Sequence, residues 1–75
     1  MLVLHDDVPG VIADVTNLLR ERYRELNISN FRLSRNRRGG TAIMTIEFDQ
    51  MALDGLKEDV EGLDHVQNVV VIRAI

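Results

Sequence analysis

This sequence predicts an α+β fold, with four antiparallel strands and both helices on one face of the sheet. Three observations predict it. The hydrophobic period alternates between about 2 and about 3.6 in the order β-α-β-β-α-β. A turn signal, Asn36-Arg37-Arg38-Gly39-Gly40, separates the two middle strands. The length of 75 residues holds one domain with a thin core.

Leu2 to Leu4 is a short apolar run of strand type, stopped by the polar residues His5, Asp6 and Asp7. After Val8-Pro9-Gly10, the residues Val11, Ile12, Val15, Leu18, Leu19, Tyr23 and Leu26 recur at spacings of three and four. That is one face of a helix, predicted over residues 9–25. Pro9 suits its first turn, where the missing N–H has no partner in any case. Asp7 is placed to cap it, with its charge at the positive helix end.

From Ile28 the period is two. Ser29, Phe31 and Leu33 share one face, and Ala42, Met44, Ile46 and Phe48 share the matching one. The result is a hairpin with strands over 28–36 and 41–48. A second helix is predicted over 52–63, with Leu53, Leu56, Val60 and Leu63 inward. Gly55 and Gly62 would each cost about 1 kcal/mol in its interior, and Gly62 also suits its end. A last strand runs from Val66 to Ala74 and is apolar on both faces at Val69 to Ile72.

Right-handed crossovers place the first and third strands in the centre and the second on an edge, carrying Arg32 and Arg35. The arrangement is a ferredoxin-like βαββαβ sandwich. Its sheet has one face without helices. The first and last strands are apolar on both sides and Ile43 also points there, so a second copy or the rest of a larger protein is expected to cover part of it.

Composition removes several function classes. Apolar residues are 45% and charged residues 28%, the balance of an ordinary globule. No apolar run reaches membrane-span length and the first residues do not resemble a signal peptide, so no membrane association and a cytoplasmic location are expected. There is no cysteine, which excludes disulfides, zinc fingers and iron–sulfur ligation by this chain. His5 and His65 are far apart in sequence, with no second ligand at metal-binding spacing. The first strand has no aromatic residue to stack a base, so nucleic-acid binding is not expected. No nucleophile motif is present, and no catalytic residue is assigned.

Charge is divided by segment. Residues 20–38 hold seven Arg against Glu21 and Glu25, a local charge of +5. Residues 49–64 hold six acids against Lys57, a local charge of −5. Either two solvated faces or a steered docking pair fits this division.

The first β–α turn, His5 to Gly10, draws attention. A helix start presents free N–H groups to an anion, and Gly10 permits close approach to the backbone. His5 and Asp7 would add polar groups over the same spot, a setting for an amino acid. The alternative is that Asp7 caps the helix and His5 ends the strand.

The pieces His5-Asp6-Asp7-Val8-Pro9-Gly10-Val11-Ile12-Ala13, Asn27-Ile28, Arg32-Leu33-Ser34-Arg35, Gly39-Gly40-Thr41-Ala42 and Asp49-Gln50 occur in order. Together they resemble an ACT domain, a small-molecule regulatory module, over essentially the whole chain. Within that family the Ser-Arg, Gly-Gly and Asp-Gln pieces are most similar to the ACT segment of bacterial L-serine dehydratase β chains. The segment of D-3-phosphoglycerate dehydrogenase is the runner-up.

The resemblance implies an amino-acid ligand, L-serine favoured, at an interface of a homodimer. It implies His5, Asp7, Val8, Pro9, Gly10, Val11 and Asn27 as ligand-binding residues, with Asn27 often supplied by the other copy. It further implies a catalytic domain or subunit of a parent enzyme, with a [4Fe-4S] cluster in that parent if it is the dehydratase and no cofactor in this segment. The abrupt start of the first strand at Met1 suggests an isolated regulatory segment. A free-standing regulator and a pairing module without ligand are the other readings.

Two departures from the family pattern stand out. Asp7 replaces an amide of the serine-sensing dehydrogenase, and its charge would repel a ligand carboxylate by about 4 kcal/mol in a close, semi-buried pair. The path from Leu18 to Asn27 is longer than usual and lacks a helix-ending Gly, which predicts a longer helix.

Overall fold

A computed structural model describes residues 1–35, 40–51 and 54–72. Its elements are β1 (Leu2–Asp6), α1 (Val11–Arg22), β2 (Ile28–Arg35), β3 (Thr41–Phe48), α2 (Leu56–Glu61) and β4 (Val66–Val70). The sheet order is β2-β3-β1-β4, with β1 antiparallel to β3 and β4 and β2 antiparallel to β3. This is the predicted ferredoxin-like sandwich, with β1 and β3 central and β2 on an edge. Asn36, Arg37, Arg38, Gly39, Leu53 and the predicted end of the last strand at 73–74 lie outside the described residues.

Alternation decides which side chains meet the helices. Val3, Met44 and Leu33 stand in one cross-strand row, with Val69 beyond Val3. With Val11, Val15 and Leu19 of α1 and Leu56 and Val60 of α2, the inner members of these rows form a single core. On the other face Leu4 stands beside Ile43, and Leu2 beside Val70. Ile43 and Val70 are exposed there, as expected for a face without helices.

Several helix and strand boundaries differ from expectation. The first helix begins at Val11, not residue 9, because Gly10 takes a left-handed φ of +94° as its N-cap. Pro9 therefore lies in the turn before the helix, and Asp7 does not cap it. The same helix ends at Arg22. Tyr23, at φ −132° and ψ 48°, leaves the helical region, and Leu26 N–H donates to the Tyr23 carbonyl at 3.0 Å in a turn. Tyr23 and Leu26 still pack on the core, so their apolar phase reports burial and not helix.

The second helix is shorter than expected because Gly55, at φ +89°, caps its start, while Gly62 caps its end. Neither glycine is interior. Tyr23 O–H donates to Asp59 of this helix, tying the end of α1 to α2. The last strand stops pairing at Val70.

Ser29 does not share the face of Phe31. A bulge between Ile28 and Asn30 sets Ile28 opposite Phe48 and Phe31 opposite Ile46. Ser29 instead lines a cavity with Leu2, Thr45 and Glu47. Every residue of β2 is exposed, because neither helix covers this strand. A groove of about 350 Å³ separates its start from the second half of α1.

Candidate functional site

The turn between β1 and α1 is held by backbone bonds. Val8 N–H donates to the Asp6 carbonyl at 3.0 Å, and Asp7 N–H to the Gly40 carbonyl at 2.8 Å. The first helical bond runs from Asp14 N–H to the Gly10 carbonyl at 2.9 Å. The amides of Val11, Ile12 and Ala13 precede it, and no side chain caps them. Val8, Pro9 and Gly10 are exposed beside them, while Val11 is buried in the core. The Asp7 carboxylate lies 3.2 Å from Arg35 Nη1, at the end of β2.

His5 is placed otherwise than expected. It follows Val3 in the helix-facing row and is only 3% exposed. Its Nδ1–H donates to the Asp6 carbonyl at 2.9 Å, since a carbonyl only accepts. Its Nε2 is buried without a hydrogen-bond partner. The ring thus does not stand open over the turn.

Asn27 lies at the other end of the sheet. Its Nδ2 donates to Asp49 Oδ2 at 2.7 Å, and its backbone N–H to Gln50 Oε1 at 2.9 Å. Asp49 N–H donates back to the Asn27 carbonyl at 2.9 Å. The eight residues of β2 separate Asn27 from the turn, roughly 26 Å at about 3.3 Å per step. One chain therefore assembles the turn residues but not Asn27. Three supporting residues had no assigned role in the sequence: Asp49 and Gln50, which hold Asn27, and Arg35, which meets Asp7. The Asp-Gln pair was visible as a motif, but its partner across the hairpin was not.

Beside the turn, Asp6 accepts from Gln67 Nε2 at 2.6 Å and lies 3.3 Å from His65 Nδ1. Gln67 falls where the β1–β4 register shifts, and His65 has a positive φ of 69°. The Gln67 bond first, and the His65 bond second, hold the Asp6 carboxyl below its usual pKa. A depressed folded pKa contributes stability that is complete above the unfolded value, near 3.9, and is lost as pH falls through the folded value. Asp6→Asn is therefore expected to lower the urea midpoint at neutral pH, with the deficit shrinking below about pH 3.9. A deficit that stays constant through the acid range would reject this account.

Residues 1–69 match the family model of the AHAS small subunit-like ACT domain. The chain belongs to the ACT-domain family. ACT domains are regulatory modules that bind amino acids and sit in multi-domain enzymes. Two relatives come from Bacillus subtilis (strain 168). D-3-phosphoglycerate dehydrogenase is 32% identical over 73 residues, covering 97% of this chain and 13% of that protein. A probable L-serine dehydratase β chain is 33% identical over 72 residues, covering 96% of this chain and 32% of that protein. This ACT domain thus spans a third or less of the relatives it matches. Among its described residues, no helix is long and apolar enough to cross a membrane.

Proposed function

We propose that this ACT domain is a non-catalytic sensor of an amino acid, L-serine favoured, working as a homodimer in the cytoplasm and regulating L-serine dehydratase. The observation that carries the proposal is the uncapped start of α1 beside Asp7, with Asn27 held at the far end of β2, the edge strand whose other end meets Asp7 through Arg35. A second copy brings the two ends together. Ile28, Phe31 and Leu33 of β2 are exposed on its helix-facing side, and Ile12 of α1 is exposed as well. Pairing β2 with its copy across a two-fold axis covers this apolar strip and the open edge. In an antiparallel register centred on the strand, Ile28 of a second copy lies beside Arg35 of the first. Asn27 of the second copy then reaches the turn that holds Asp7.

The ligand carboxylate is assigned to the α1 amides and its ammonium to Asp7 and Asn27 Oδ1. In the parent dehydratase, L-serine would be converted to pyruvate and ammonia with a [4Fe-4S] cluster. This chain holds no cysteine, so its residues do not fit such a cluster, and the ligands would lie elsewhere. The similar identity to the dehydrogenase keeps that enzyme as the alternative parent. The burial of His5 favours a second reading, a pairing module without ligand.

Titration calorimetry of the dimer with L-serine and a panel of amino acids separates the readings. L-Serine is expected to bind, and Asn27→Ala to weaken it by roughly 1–3 kcal/mol, about ten- to hundredfold. Absence of any binding at millimolar concentration would leave the pairing module. Unchanged binding by Asn27→Ala would remove Asn27 from the site.

A further inference from the structure

We infer that Arg35 is a specificity-determining residue of the sensor site, and that the Asp7–Arg35 pair selects ligands carrying both an ammonium and a carboxylate. The inference rests on the amino-acid-sensing proposal and adds to it a cation that stands beside Asp7. Arg35 Nη1 is 3.2 Å from Asp7 Oδ2, with side chains 51% and 18% exposed. The two residues are 28 positions apart and meet only because β2 ends beside the β1–α1 turn. Arg35 stands opposite Ala42 in the helix-facing row, whereas Arg32 stands opposite Thr45 on the other face.

Stability gives little reason for the contact. An ion pair this open contributes about 0–1 kcal/mol. Its chemistry suits a ligand better. An aspartate alone at the helix start repels a ligand carboxylate, but a guanidinium beside it cancels that charge and offers paired N–H donors to the incoming carboxylate. Asp7 then faces the ammonium. A zwitterion placed against this pair meets opposite charge at both ends. An amine without a carboxylate meets Asp7 but gains nothing from Arg35, and a carboxylic acid without an amine meets Arg35 and the α1 amides but gains nothing from Asp7. The site would thus read the α-amino-acid headgroup by its two charges together.

Calorimetric titration of the 75-residue chain with three probes tests this. L-Serine carries both groups, ethanolamine lacks the carboxylate and 3-hydroxypropionate lacks the ammonium. The wild-type chain is expected to bind L-serine at least about tenfold more tightly than either of the others. Arg35→Gln is expected to lose about tenfold or more for L-serine while leaving ethanolamine within about twofold, and Arg35→Lys to recover part of the loss. A merely structural Arg35 would weaken both ligands alike. Equal weakening, or L-serine binding by Arg35→Gln within about twofold of wild type, overturns the role of Arg35 and leaves the sensor standing. Failure of the wild-type chain to bind L-serine or any other amino acid overturns both.

Discussion

Phe31→Asp is expected to leave the chain monomeric at concentrations where the wild type is dimeric, and to abolish amino-acid binding with it. Phe31 lies in the middle of β2, opposite Ile46, and is 38% exposed. In a single copy an aspartate at this edge can turn to water. In a pairing of β2 with its copy, both aspartates would lie close to the two-fold axis, among Ile28 and Leu33 of the two copies. An uncompensated buried charge costs about 3–5 kcal/mol. One such charge weakens association at least about hundredfold, and two weaken it further. Sedimentation across a wide concentration range reads the association, and circular dichroism checks that the monomer keeps its fold. Association equal to the wild type would place the interface elsewhere. Asn27 of a second copy would then have no route to the turn through β2.

Met44→Ala is expected to remove about 2–5 kcal/mol of stability, roughly half of what a domain of this size possesses. Met44 is 0% exposed and stands in β3 between Val3 of β1 and Leu33 of β2. Its side chain lies where the sheet meets the helices, and truncation leaves a cavity that the paired strands on either side cannot close. Met51, at 68% exposure, is the control, and its replacement by Ala should stay within about 0.5 kcal/mol. Urea denaturation measures both. A loss below about 1 kcal/mol for Met44→Ala would show that the site collapses around the smaller residue.

The alternation of Ala42, Met44 and Ile46 and the three-and-four spacing of Val11, Val15 and Leu19 state directly which side chains are buried. From them the element order, the strand positions and the single core follow without coordinates, because burial direction repeats with the period of each element. The same signal overran the end of α1, since Tyr23 and Leu26 keep the apolar phase after the backbone has left the helix. It also missed the bulge at Ser29, because one extra residue shifts the face of everything before it.

The candidate turn was legible as a motif, since Val8, Pro9, Gly10 and Val11 are contiguous. What lay beyond the sequence were the contacts between distant segments. Asp7 meets Arg35, Asn27 is held by Asp49 and Gln50, and the His5 ring is enclosed although it adjoins a turn. The sequence determines each residue's chemistry and its side of a strand or helix. Only the packed sheet decides which strand end lies beside which loop, because that depends on register and strand order, and neither leaves a periodic trace in a single chain.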